Sequence, residues 1–347
     1  MPYSFFLFLA GLFLTAAAAV SQTSAPTEKK GSPVVALTPK ETDEAIALLR
    51  ANFVHPIAIN VSSPGDATTF QNLLAQLHGA VDILPAKSSE ETKAPLYHEI
   101  VSNHIGYLRL GALTAENLPL LDQATSDFSA GKVDALVVDL RASSQVQNDF
   151  DLAAQFAQRF VTRGKTLWTL HQSTGGQDRP STSNGDAVLQ MPIMVLIDRS
   201  TAGAAEAVAA ALKMDTHTVL IGENSAGRAG EFKEFPLAGG KVLRVAVSEA
   251  IAPQGRSLLG EGLKPDVPVT LAPEEKQQIF ARSAEGGMTP FVFEKARPHF
   301  NEAALIKGTN PELDNRSGRR GEEGAQRDPV LQRAVDIITS IGILAKQ

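Results

Sequence analysis

The chain has 347 residues, of which 43% are hydrophobic and 20% charged, and this composition excludes a disordered protein and predicts a large buried core. Its 32 Lys and Arg against 38 Asp and Glu give a net charge of -6, which argues against a general nucleic-acid-binding role. There is no cysteine, so disulfide scaffolds, thiolate nucleophiles, zinc-thiolate sites and lipid attachment at an N-terminal cysteine are excluded.

The first segment is an uncharged apolar run, residues 5–20 (FFLFLAGLFLTAAAAV), followed by polar residues. The small residues at its end suit signal peptidase, so residues 1–21 are interpreted as a secretory signal and residues 22–33 as a linker. The four residues before the run carry no Lys or Arg. The alternative is therefore an uncleaved N-terminal anchor, for which 16 residues are short. We expect a secreted or periplasmic protein that has no membrane contact once the signal is removed.

Residues 34–95 predict a small helical lead-in. Thr38, Pro39 and Glu41 form a capping-box pattern ahead of apolar residues at helical spacing. Residues 67–81 repeat apolar side chains at i, i+3, i+4 and i+7, which predicts a second helix. A polar break at residues 87–95 follows.

Residues 96–272 alternate strand and helix patterns and predict an α/β domain. Two continuous apolar runs, residues 135–140 (ALVVDL) and 192–197 (PIMVLI), are typical of buried parallel strands. An Ala-rich helix at residues 204–214 follows the second run. The other predicted elements are strands at 97–101, 105–110, 166–171 and 218–221, helices at 116–128 and 150–161, a polar loop at 175–186, and a hairpin from 232–237 and 242–247.

Residues 273–347 predict a C-terminal extension. It contains a helix at 273–284, a mixed stretch at 298–310 and a charged, Gly-rich segment at 315–327 that we expect to be mobile. A last helix at 328–344 begins with Asp328 as its cap.

Seven segments resemble, in order, successive blocks of the C-terminal processing, or tail-specific, serine peptidases. They are residues 105–110 (IGYLRL), 135–141 (ALVVDLR), 192–206 (PIMVLIDRSTAGAAE), 219–230 (VLIGENSAGRAG), 254–257 (QGRS), 262–267 (GLKPDV) and 328–334 (DPVLQRA). The resemblance covers residues 97–270 and the last helix, and it implies the crotonase/ClpP-like α/β core of the protease domain. The short lead-in is expected to leave no room for the PDZ domain that many members carry.

The resemblance implies a serine nucleophile at the start of the Ala-rich helix and a lysine general base 25 residues later. Members of the family read SASASE at the first place, with the nucleophile three residues before the glutamate. Here the glutamate is Glu206, the nucleophile position is Gly203, and the lysine position falls on Arg228 at the same spacing of 25. Glycine has no group that attacks a carbonyl, and an arginine does not give up its proton. The sequence therefore predicts a pseudoenzyme with a degenerate dyad at Gly203 and Arg228.

The loop that would supply the oxyanion pocket is altered as well. Relatives follow their Asp-Leu-Arg with an Asn and a Gly-Gly pair, whereas residues 142–147 here (ASSQVQ) contain no glycine. We therefore do not expect the backbone N–H donors of that pocket to be preserved.

Replacement groups for the dyad lack the family's spacing. The candidates are Ser200, Thr201 and Ser225 as nucleophiles and Lys213, Lys233, His171 and His217 as bases. Ser200 is interpreted as the N-cap of the Ala-rich helix. Asp139 and Asp198, at strand ends, are interpreted as solvated carboxylates. The seven histidines show no paired-ligand spacing, so neither a metal nor a cofactor is expected.

Two hypotheses of different classes follow. In the first, the protein has lost its dyad and binds a peptide, a C-terminal tail or a partner protein, with Arg228, Gly227 and Ala204 as candidate binding residues. In the second, it is an active serine peptidase with a nonstandard nucleophile or base. A third hypothesis is that the core binds an apolar ligand, as in the retinoid-binding relatives of this fold. A guanidinium at position 228 suits a peptide carboxylate, unless it pairs with a nearby acid such as Glu206, Glu223 or Glu231.

Overall fold

The computed structural model describes residues 37–56, 67–85, 94–143, 148–172, 176–185, 191–214, 218–292 and 326–344. All of them belong to the compact unit Leu37–Gln347. The predicted signal and linker, the mixed stretch at 298–310 and nearly all of the charged segment at 315–327 lie outside the described residues. Within the described ranges, no helix combines the length and apolarity needed to cross a membrane.

The helices of the described residues are α1 (Pro39–Asn52), α2 (Ala67–Gln76), α3 (Asn117–Ala130), α4 (Phe150–Ala157), α5 (Ala204–Leu212), α6 (Pro273–Gly286) and α7 (Pro329–Leu344). The strands are β1 (Val81–Leu84), β2 (Tyr97–Val101), β3 (Ile105–Arg109), β4 (Ala135–Asp139), β5 (Thr166–His171), β6 (Arg179–Thr182), β7 (Ile193–Ile197), β8 (Thr218–Gly222), β9 (Phe232–Pro236), β10 (Val242–Ala246), β11 (Glu249–Ile251) and β12 (Val267–Pro268).

A six-stranded sheet in the order β12-β8-β7-β4-β3-β2 forms the centre of the fold. Its strand pairs are parallel except β2-β3, which is antiparallel. Every residue of β4 and β7 is buried, because alternate side chains enter two different cores. Leu136 and Val138 pack on the face covered by α3, α4 and α5, whereas Val137 packs on the face covered by α6 and α7. The predicted α/β class and both buried parallel strands are confirmed.

A second sheet, β1-β10-β9, joins the lead-in to the predicted hairpin. The hairpin of β9 and β10 is confirmed, with Val242 opposite Pro236. The prediction of a helix through residue 81 is wrong, because α2 ends at Gln76 and β1 begins at Val81 to pair with β10. Gly79, with φ +81°, makes the turn, and a Cβ there would lie 2.5 Å from the Gly227 carbonyl oxygen. A long-range strand pairing therefore overrides the helical pattern.

A third sheet has the order β11-β5-β6. The prediction of a polar loop over residues 175–186 is wrong for Arg179–Thr182, which form β6 beside β5. This edge strand is mostly exposed and polar, so it lacks the alternation that marks a half-buried strand.

The last helix is fixed at its start by the predicted cap. The Asp328 carboxylate accepts the N–H groups of Val330 and Leu331, each at 3.0 Å. Because Asp328 is itself fully buried, its charge requires a partner inside the protein.

Candidate functional site

Gly203 lies where strand β7 gives way to helix α5. Its φ of +64° is a backbone conformation that glycine adopts readily and other residues rarely do. Gly203, not Ser200, is the N-cap of α5, so the prediction of Ser200 as the cap is wrong. Ser200 instead lies in the tight turn after β7, where its N–H donates to the Asp198 carboxylate at 2.8 Å.

The Glu206 carboxylate joins the two positions of the degenerate dyad. Its Oε2 accepts the N–H of Gly203 at 3.0 Å and the N–H of Arg228 at 2.7 Å. Its Oε1 accepts the N–H of Gly227 at 2.7 Å and the hydroxyl of Ser225. The backbones at positions 203 and 228 therefore meet around one buried side chain.

The Arg228 side chain turns away from Glu206 and pairs with Asp82 on β1. Its Nη2 lies 2.5 and 2.6 Å from the two Asp82 carboxylate oxygens. About a quarter of each side chain is exposed, at 27% for Arg228 and 22% for Asp82. An acid does pair with Arg228, but it is none of the three acids expected from the sequence. The actual partner lies on a strand that the sequence pattern does not reveal.

A cleft of about 620 Å³ opens beside Arg228. Its wall also includes Arg199, Glu223 and Glu261, so charges of both signs face it. The backbone at Gly227 lies close to the backbone at Gly260. A Cβ at position 227 would lie 2.3 Å from the Gly260 carbonyl oxygen.

The N–H at the start of helix α5 is hydrogen-bonded to a side chain. Ala204, which follows the nucleophile position, donates to the Asn148 Oδ1 at 2.9 Å. In hydrolases with a nucleophile at a strand-to-helix turn, this N–H is one of the donors that hold the oxyanion. Of the altered loop, Ala142 and Ser143 are described, and residues 144–147 lie outside the described residues.

Comparisons with known proteins identify the family of this region. The model of peptidase family S41 (Peptidase_S41) matches residues 104–269. Residues 104–269 are a peptidase family S41 domain. The chain is 30% identical over 200 residues to a carboxy-terminal-processing protease of Bartonella bacilliformis, covering 56% of this chain and 45% of that protein. It is 24% identical over 227 residues to the carboxyl-terminal-processing protease of Synechocystis, covering 65% and 50%.

This chain spans about half the length of these two relatives. A solved protein of Parabacteroides merdae has a TM-score of 0.54 and 14% identity to this chain, covering 70% of this chain and 93% of that one. That likeness concerns the fold alone.

Ser200 contacts an amine that the sequence analysis missed. The Lys276 Nζ, on helix α6, lies 2.8 Å from the Ser200 Oγ. The same Nζ donates to the Asp198 carboxylate at 2.5 Å and to the Arg141 carbonyl oxygen at 3.1 Å. The Lys276 Nζ therefore has three acceptors around it, which matches the three donors of a lysine side chain. Asp198 is therefore ion-paired, and the prediction that it is a solvated carboxylate is wrong.

The other candidate nucleophiles are engaged by the S41 domain itself. Thr201 is buried and its hydroxyl donates to the Leu140 carbonyl oxygen at 3.1 Å. The Ser225 hydroxyl accepts the N–H of Leu263 at 2.7 Å and donates to Glu206, whose two oxygens also accept three backbone N–H groups.

The candidate bases lie elsewhere. Lys213 pairs with Asp266, and His171 pairs with Asp178 at 2.8 Å. Lys233 is exposed on β9, and His217 lies outside the described residues. In the described part of the chain, no cluster of three or more His, Asp or Glu side chains could hold a metal ion.

Asp139 belongs to a buried ionic network and is not the solvated carboxylate that the sequence suggested. Arg141 bridges it to the cap of α7, because its Nη2 donates to Asp139 and to Asp328, each at 2.7 Å. All three side chains are at most 1% exposed. The Tyr107 hydroxyl donates to Asp139 at 2.8 Å. This network connects residues 135–141 to residues 328–334, two of the segments that carry the resemblance.

Glu206 is expected to make the stability of the S41 domain depend on pH. Burial raises its pKa from 4.5 to about 7, against the opposing effect of its four hydrogen-bond donors. The folded state therefore binds this proton more tightly, and the stability it adds is complete below about pH 4.5 and is lost as the pH rises through about 7. A shift of this size corresponds to about 3 kcal/mol.

Glu206→Gln removes this titration. We expect the free energy of unfolding of the wild type, minus that of the variant, to fall by about 2.5 kcal/mol between pH 5 and pH 8 in urea titrations. A difference that stays constant over this range, or that rises with pH, would contradict the assignment.

Proposed function

We propose that this is an exported member of the S41 family that is catalytically degenerate and acts by binding a peptide, a protein C-terminal tail or a partner protein. The observation that carries the proposal is the pairing of Gly203 and Arg228 around Glu206. At the place of the nucleophile there is no side chain, and at the place of the base there is a guanidinium. Neither an attack on a carbonyl nor the removal of a proton is available from these two residues.

The proposed domain division follows the sequence: a signal at residues 1–21, a linker at 22–33, a lead-in at 34–95, the protease-like domain at 96–272 and an extension at 273–347. Backbone pairing of an extended peptide with a strand supplies affinity that tolerates many sequences. The Arg228 guanidinium adds a preference for a terminal carboxylate only in molecules in which it is not paired with Asp82.

Titration calorimetry with short peptides that carry free or amidated C-termini tests this binding role. We expect the wild type to bind both forms with similar affinity and without cleaving them. Asp82→Asn removes the carboxylate that pairs with Arg228 and should make the free C-terminus bind about tenfold more tightly than the amidated one. Adding Arg228→Ala should abolish that preference, whereas adding Arg159→Ala should not, since Arg159 pairs with Asp122 and does not line the cleft.

Failure of every peptide to bind would contradict the binding role. If peptides bind but Asp82→Asn creates no preference, Arg228 does not read a carboxylate and the ion pair is purely structural.

The second candidate function is an active serine peptidase with a nonstandard nucleophile. The contact of 2.8 Å between Ser200 and Lys276 is the observation that favours it. It requires Lys276 to leave Asp198 and lose its proton, because an amine acts as a base only when it is neutral.

Export is tested by the mature N-terminus. We expect the chain to begin between Val20 and Ser24 after expression from its native start in a bacterial host, since small residues precede this point. Mass spectrometry of the purified protein measures this directly. Intact protein retaining residues 1–19 in the membrane fraction would support the uncleaved anchor instead.

A further inference from the structure

The Asn148 side chain bridges the two segments that carry Gly203 and Arg228. Its Oδ1 accepts the N–H of Ala204 at 2.9 Å, and its Nδ2 donates to the carbonyl oxygen of Gly230. One carboxamide group therefore satisfies a backbone donor on one side of the site and a backbone acceptor on the other.

These two contacts have the chemistry of a peptide bond. A peptide backbone offers one C=O and one N–H, the same pair of groups that an asparagine carboxamide offers. We infer that Asn148 occupies a subsite for the backbone of an extended peptide, between Ala204 and Gly230, and that an incoming peptide displaces it. This inference rests on the proposed function, since it names how a bound peptide is held.

A second, independent feature lies on the segment that contacts Ala202. Ser143 is 1% exposed, and its carbonyl oxygen accepts the N–H of Ala202 at 3.3 Å, one residue before Gly203. Its hydroxyl has no hydrogen-bond partner within the described residues. Buried hydroxyl groups are normally paired, so this unpaired one, on the residue that binds Ala202, leaves a hydrogen-bonding group for a ligand.

The burial of the three bridging residues suits an exchange of this kind. Ala204 and Gly230 are buried, so the subsite keeps its position when it is vacated. Asn148 is only half-buried, at the start of α4, so its side chain can move into water. When a side chain of the protein blocks a site, the affinity for the ligand falls in proportion to the fraction of molecules in which the site is open.

The test is titration calorimetry with N-acetyl-trialanine N-methylamide, a probe without terminal charges that Arg228 cannot recognise as a carboxylate. We expect Asn148→Ala to bind it at least about fivefold more tightly than the wild type, because the subsite is then permanently open. The matched control is Asp149→Ala, which removes the neighbouring cap of α4, a carboxylate that accepts the N–H of Leu152 at 2.9 Å. This control should bind like the wild type.

Asn148→Asp keeps an acceptor for Ala204 but cannot donate to Gly230, and we expect it to gain less affinity than Asn148→Ala. Circular dichroism confirms that each variant is folded. If Asn148→Ala binds no more tightly than the wild type, or if Asp149→Ala gains as much, the inference is wrong. Should the wild type still bind longer unstructured peptides in that case, the proposed function stands. If neither the wild type nor Asn148→Ala binds any peptide, both are wrong.

Discussion

Arg141→Met is expected to lower the free energy of unfolding by about 3–5 kcal/mol, the largest stability effect of any single change considered for this chain. The substitution leaves the carboxylates of Asp139 and Asp328 buried without their shared cation. Burial of an unpaired charge is costly because water no longer solvates it. The same change loosens α7, since Asp328 both caps that helix and binds Arg141.

The control is Arg159→Met, which removes a similar arginine from an exposed pair with Asp122. Exposed ion pairs contribute at most about 1 kcal/mol. Urea denaturation followed by circular dichroism should therefore separate the two variants by several kcal/mol. Equal and small losses in both would show that the buried network is not a stabilising connection between α7 and the sheet.

The double variant Gly203→Ser with Arg228→Lys is expected to remain at least about 10²-fold slower than an active processing protease, although it restores both reacting groups. Loss of one oxyanion donor alone costs about 10²–10³ in rate, and here the N–H of Ala204 is already bound by Asn148. The introduced lysine would also lie near Asp82, and a carboxylate neighbour favours the charged form of an amine. A charged lysine does not accept the proton of the serine.

Cleavage of casein, followed by mass spectrometry, measures this rate. Adding Asp82→Asn to the double variant should raise the residual activity, because the lysine then loses the neighbour that keeps it charged. Efficient cleavage by the double variant alone would show that the oxyanion donors remain in working order.

The parts of the fold that follow from local sequence pattern were predictable. The runs at β4 and β7 are continuous and apolar because both faces of these strands are buried. The register of Gly203 and Arg228 followed from Glu206 and the spacing of 25 residues, and the structure brings these two positions together.

The contacts that decide the chemistry were not predictable. Asp82 lies 146 residues from Arg228 in the chain, on a strand that forms only because β10 pairs with it. Lys276 reaches Ser200 from 76 residues away, on a helix whose pattern reveals only its apolar face. Asn148 makes hydrogen bonds with backbone groups of two other segments, and backbone contacts of this kind do not depend on residue type. Long-range pairings of this kind have no local signal.

The proposed function requires that the S41 domain does not hydrolyse peptide bonds. Its most direct test is to treat the wild-type protein with a fluorophosphonate probe while measuring the turnover of an unstructured peptide library, with the Synechocystis protease as positive control. We expect neither cleavage nor a labelled serine. Cleavage accompanied by a label on Ser200, or on any other serine of residues 104–269, would contradict it.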